Sequence, residues 1–131
     1  MNTFAPELAY ASASDLRPRL VSGEISPVDV MDSVLTQIER HNGDREGGVN
    51  AFTEVFPEAA RASAEAAQEA FAKFRRNGDT PPPLLGIPIA AKEKHFLAGE
   101  RHSEGYAPRA DRRAAEDHPL ITRLRAAGAI V

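Results

Sequence analysis

Polar and apolar positions alternate with helical spacing over much of the chain. Ser12 is placed to cap a first helix, with Asp15 three residues later able to reach back to it. Leu16, Leu20 and Val21 form the apolar stripe of that helix, and Gly23 ends it. Pro18 removes a backbone donor inside the stripe, so a short or irregular helix is expected. The next helix has stronger signals: Ser26 as N-cap, Pro27 at the first helical position and Asp29 completing a capping box. Val30, Met31, Val34, Leu35 and Ile38 fall on one face, and Asn42 and Gly43 stop the run. Arg40 and His41 sit in the last turn, where positive charge suits the helix dipole. The spacing therefore predicts a helical hairpin over 12–41.

The stretch VNAFTEVF, residues 49–56, is rich in β-branched and aromatic residues and is expected to form a short strand. Pro57 opens a long helix over 57–76, with Ala59, Ala62, Ala66, Ala70, Phe71 and Phe74 as its expected packing face. NGD and TPPP, within 77–83, form a turn and a stiff linker. LLGIPIAAK, residues 84–92, is expected to be a strand ending on Lys92. Residues 97–117 lack hydrophobic period and are expected to be a long loop, a kind of segment that often carries function. Asp117 is expected to cap a last helix over 118–127, with Leu120, Ile121 and Leu124 facing inward and Gly128 ending it. Helix, glycine and then AIV is how a βαβ unit enters its next strand. The front part of a larger α/β protein is therefore expected; a small domain with a short terminal edge strand is the alternative.

Composition narrows the function classes. The chain has 131 residues, 42% of them hydrophobic and 27% charged, which suits one folded domain. A formal net charge of -3 supplies no electrostatic reason to expect nucleic acid, and Arg109, Arg112 and Arg113 fit a solvated loop. There is no cysteine, so disulfides, thiolate metal sites and a cysteine nucleophile are excluded; a reducing cytoplasm is the expected location. The N-terminus lacks the basic and apolar regions of a secretory signal, and no apolar run is long enough to span a membrane. The histidines do not fall at metal-ligand spacing, and neither a metal nor a cofactor is expected. His95 and His102 lie near the strand end and could line a pocket; ordinary loop roles are the commoner outcome.

Lys92 carries the chemical question. A lysine at a strand end usually just reaches water. To act as a base its amine must be desolvated, and each pK unit of depression costs about 1.4 kcal/mol. Serine hydrolases that use lysine as base are known variants of the catalytic triad.

Four segments carry a family resemblance. LLGIPIAAKE resembles the lysine segment of the amidase signature family, close to G-(I/V)-P-(I/V)-x-x-K-D. SGEISPVDV resembles its S-G-E-(I/L)-S helix start, and VNAF its L-N-A-(F/Y) first strand. HPLITRLRAAGAIV resembles A-T-x-V-x-R-L-R-x-A-G-A-I-V. Each is weak alone, but their order and spacing fit over nearly the whole chain. The resemblance implies the N-terminal part of the amidase signature α/β/α fold, a mixed sheet flanked by helices, here truncated.

It also implies hydrolysis or transfer of amides by a Ser–cis-Ser–Lys triad, with Lys92 as the lysine. One serine attacks the carbonyl, the second relays its proton to the neutral amine, and backbone N–H groups hold the oxyanion. Both serines belong to a glycine- and serine-rich segment that nothing in residues 1–131 resembles. Ser103, in RHSEG, lacks the first glycine of G-x-S-x-G and is not assigned as nucleophile. Glu93 stands where the family usually has aspartate, and AGERHSEGY replaces a threonine-rich loop. The expected partners are a small amide substrate and the missing C-terminal part of the same enzyme, with a homodimer left open. The alternatives are a component like the amidase subunit of a tRNA-dependent amidotransferase, and a non-catalytic fragment or split half. The 131-residue chain alone is expected to be inactive.

Overall fold

A computed structural model describes residues 6–43 and 46–131. A 3-10 turn at Pro6–Tyr10 leads into α1 (Ala13–Ser22) and α2 (Pro27–His41). Helix α3 (Pro57–Asn77), a second 3-10 turn (Ala107–Arg109) and α4 (Pro119–Ala126) follow.

Local chemistry explains the helix ends. The Ser26 hydroxyl oxygen accepts the Asp29 N–H at 3.0 Å, and the Asp29 carboxylate accepts the Ser26 N–H at 3.0 Å. This reciprocal capping box satisfies donors that the first turn of α2 leaves free. Ser12 caps α1 by accepting the Asp15 N–H at 3.1 Å. Gly23 and Gly78 close α1 and α3 in the left-handed region, at φ of 82° and 74°. Despite Pro18, α1 is a continuous helix of 10 residues. Pro18 and Ser14, whose carbonyl loses its partner, are both exposed, so water can take the missing bond.

The core lies where these helices meet the segment before Lys92. One cluster joins Leu8, Leu16, Leu20, Val30, Phe71 and Ile87. A second joins Met31, Leu35, Ala64, Ala67 and Ile130. Phe71 is only 2% exposed; burying such a side chain contributes about 1.5–3 kcal/mol. On α2, Val30, Met31 and Leu35 are buried, while Val34 and Ile38 are half-buried. Ser33, at the centre of that helix, accepts the Ala9 N–H at 3.1 Å and so anchors the first 3-10 turn.

The structure corrects several expectations. The packing face of α3 is Ala60, Ala64, Ala67 and Phe71; Ala59, Ala62 and Ala66 are exposed. The face is set by docking against α2, where Ala64 and Ala67 pack on Met31 and Leu35, while Phe71 enters the neighbouring cluster. Residues 49–56 form no strand. Their backbone is held instead by side chain and helix end: Val49 N–H donates to His41 O at 2.8 Å, and Asn42 pairs with Phe52.

Residues 84–92 are likewise not a continuous strand. A turn occupies 83–86, and the extended stretch after it makes a single parallel bridge, Pro88 to Ile130. Pro88 has no N–H to extend a ladder. Hydrogen bonds still align the two segments: Gly86 N–H to Gly128 O at 3.1 Å, Ile130 N–H to Ile87 O at 2.9 Å and Ile89 N–H to Ile130 O at 2.8 Å. Gly128 is required at this crossing, since its φ is 95° and a Cβ there would lie 2.7 Å from Leu85 Cα.

The region 97–117 is more organised than a plain loop. It doubles back on itself through the bridges Ala98–Ala114 and Arg101–Arg113. Helix α4 is capped by His118 rather than Asp117: His118 Nδ1 accepts the Leu120 N–H at 3.1 Å. Asp117 instead accepts the Ala98 N–H at 2.8 Å and pairs with Arg125 at 2.8 Å. Within α4, Ile121 is 1% exposed, whereas Leu120, expected to face inward, is 41% exposed.

Candidate active site

The aligned segment delivers Lys92 to the rim of the helical core. After Ala91 the chain turns sharply, and His95 N–H donates to Lys92 O at 2.7 Å. The Lys92 side chain is exposed among the described residues, not sequestered as its proposed chemistry requires. It lines a small cleft of about 70 Å³ together with Thr53, Glu54, Glu93, His95 and Arg101. A larger apolar cleft of about 380 Å³ adjoins it and shares Glu54, Phe56, Ala91 and Leu97. The lysine thus stands where an apolar groove meets a polar one.

Glu93 is half-buried and held by Ser103. Ser103 donates to the same carboxylate oxygen twice, from its hydroxyl at 2.6 Å and from its main-chain N–H at 2.8 Å. The Ser103 hydroxyl, then its N–H, hold the Glu93 carboxyl below the usual carboxylate range; partial burial works weakly the other way, and Gly105 N–H and Arg101 add to the lowering. Across the cleft, Arg101 Nε lies 2.9 Å from Glu54 Oε1.

Three of the four histidines, His95, His102 and His118, gather near Phe96. The His95 and His118 rings lie 5.0 Å apart, and Phe96 stacks near both His118, at 5.2 Å, and His102, at 4.7 Å. Desolvation lowers His95 below the usual histidine range, helped by the charges of His118, Lys94 and Lys92. His102 is 6% exposed, and its Nε2 has no hydrogen-bond partner among the described residues; the Glu104 carboxylate lies 3.7 Å away. His95 therefore lines the small cleft, while His102 is buried beside Phe96. Among the described residues, no three of His, Asp and Glu gather as a metal site would need. No helix there is long and apolar enough to cross a membrane.

Sequence reasoning located Lys92 but missed the Glu93–Ser103 pair, the Glu54–Arg101 pair and the packing of Phe96 on two histidines. Glu93 beside Lys92 was a visible signal. Its partner was not, because Ser103 lies ten residues on with no periodicity linking the two.

The family model described as Amidase matches residues 29–131. AmiB2 of Mycobacterium tuberculosis (strain ATCC 25618 / H37Rv) is 34% identical over 125 residues, covering 95% of this chain and 25% of AmiB2. A glutamyl-tRNA(Gln) amidotransferase subunit of Roseiflexus sp. (strain RS-1) is 37% identical over 130 residues, covering 95% of this chain and 24% of that protein. A solved structure described as a vestigial protein complex revealing the evolutionary origins of an s-triazine catabolic enzyme superposes with a TM-score of 0.76. It is 31% identical and covers 92% of this chain and 25% of its own. The chain spans about a quarter of the length of the curated relatives it matches.

Proposed function

The chain belongs to the amidase family, and from that premise we propose that it carries the lysine segment of an enzyme that cleaves the carbon–nitrogen bond of a small amide. Lys92 is the base of a Ser–cis-Ser–Lys triad, and the two serines lie outside residues 1–131. The observation that supports this most directly is the delivery of Lys92 by a segment hydrogen-bonded alongside 128–130, at the junction of an apolar and a polar cleft. That parallel pairing is the beginning of a mixed sheet flanked by helices. The remainder of the enzyme covers Lys92, removes water from its amine and so makes the neutral form accessible. One serine then attacks the amide carbonyl, and its proton passes through the second serine to the lysine. The lysine returns the proton to the departing amine, and water releases the acyl group by the same route. No metal or cofactor takes part, and the enzyme works in the cytoplasm.

The test is Lys92→Ala in the complete gene product. Loss of amide hydrolysis with an unchanged fold supports the assignment; retained turnover refutes it.

A second reading follows from the 37% identity to the Roseiflexus amidotransferase component. On that reading the protein releases ammonia for a partner that amidates a charged tRNA. Co-purification with partner proteins separates this from a stand-alone amidase.

A further inference from the structure

We propose that Glu93 and Ser103 form a latch that fixes the turn bearing Lys92, which makes both of them positioning residues for the chemistry assigned to that lysine. The inference rests on the reading of Lys92 given above. It identifies what holds the lysine in place and removes Ser103 from the candidates for nucleophile.

The latch is built from both ends. On one side the turn is closed by His95 N–H on Lys92 O, at 2.7 Å, so Glu93 lies within the loop that orients Lys92. On the other side Ser103 sits on an anchored segment. His102, its neighbour, is buried and donates its N–H to Arg112 O at 2.8 Å. Arg101 is bridged to Arg113 and lies 2.9 Å from the Glu54 carboxylate. Glu93 joins these two pieces through a single oxygen that receives both the hydroxyl and the N–H of Ser103, at 2.6 and 2.8 Å. Hydrogen bonds to an ionised acceptor are roughly twice as strong as neutral ones.

The same geometry commits the proton of the Ser103 hydroxyl. It donates to Glu93 and accepts the Gly105 N–H at 3.2 Å. Its proton is directed at a carboxylate that these bonds make less basic, so that carboxylate is a poor group to activate it. The charged and titratable groups around Glu93 are Arg101 from the doubled-back segment, Lys92 on its own turn, and Glu54, His95 and Glu100 lining the small cleft.

Backbone NMR of the 131-residue chain decides whether the latch exists, without reference to turnover. The Ser103 amide resonance is expected to follow the titration of Glu93, and the backbone of residues 92–95 is expected to be as ordered as a helix, with order parameters of about 0.85. In Ser103→Ala and in Glu93→Gln, which preserves side-chain size, order at 92–95 falls below about 0.6 while Phe71 and Ile121 keep their shifts. Ser103→Thr, which retains the hydroxyl, restores it. A Ser103 amide indifferent to Glu93, or unchanged order in Glu93→Gln, overturns the latch. In the complete gene product, Ser103→Ala lowers kcat about tenfold or more with KM unchanged, and Ser103→Thr recovers it. Unchanged kcat with lost order would overturn the positioning role. Failure of the Lys92 assignment shows separately, as turnover retained in Lys92→Ala.

Discussion

Asn42 grips the backbone of Phe52 from both sides: its Nδ2 donates to Phe52 O at 2.9 Å, and Phe52 N–H donates to its Oδ1 at 2.9 Å. The carboxamide imitates the peptide of a neighbouring strand and pins the backbone at Phe52 where no strand is present. Each such bond contributes about 0.5–1.5 kcal/mol net. Asn42→Ala is therefore expected to lower stability by about 1–3 kcal/mol, read from the urea midpoint. Loss of Phe52 amide protection in hydrogen exchange localises the effect, and full protection in the variant would contradict this role.

The face of α3 is tested by a matched pair of substitutions. Ala64 is fully buried against α2, whereas Ala62 is exposed. Ala64→Leu is expected to overpack the core and cost about 1–3 kcal/mol. Ala62→Leu is expected to change stability by less than about 0.5 kcal/mol. The reverse ranking in chemical denaturation would restore the face read from the sequence.

Gly128 holds the crossing between the lysine segment and the residues after α4. Gly128→Ala places a Cβ 2.7 Å from Leu85 Cα and 2.8 Å from Leu85 N, in a backbone conformation at φ 95°. The conformational strain alone costs about 1–3 kcal/mol, and the backbone clash adds to it. Thermal unfolding measures the loss. Gly99→Ala, with a similar φ of 81° but nothing within 4 Å, separates strain from clash.

Acid is expected to weaken the fold in two stages. His95 and Glu93 both bind protons less readily in the folded chain than in the unfolded one, whose ordinary values are 6.5 and 4.5. The unfolded state therefore takes up more protons as pH falls. The contribution of His95 is complete above about pH 6.5 and is lost as pH drops through its lowered value. The contribution of Glu93 is complete above about pH 4.5 and is lost below that in the same way. Urea midpoints recorded against pH are expected to lose the upper stage in His95→Gln and the lower stage in Glu93→Gln. A profile unaffected by either substitution would contradict both assignments.

Helices and their ends were legible in the sequence because the forces that set them act over a few residues. Ser26 with Asp29, Gly23 and the apolar stripe of α2 are all such local signals, and the structure carries them. Family membership was legible for a different reason: the segment that Lys92 closes resembles a family motif, and the family model matches residues 29–131. What the sequence left undetermined depends on partners distant along the chain. Alanines at 59, 62 and 66 and at 60, 64 and 67 have the same chemistry, and only docking against α2 decides which set is buried. Residues 49–56 have the composition of a strand, but a strand needs a neighbour, and Asn42 took that place. Likewise Glu93 became a latch only when folding brought Ser103 to it. Hydrophobic period and capping chemistry are encoded within a helical turn, whereas packing faces, strand pairing and a site's supporting contacts arise from close approach between distant segments, which no local pattern records.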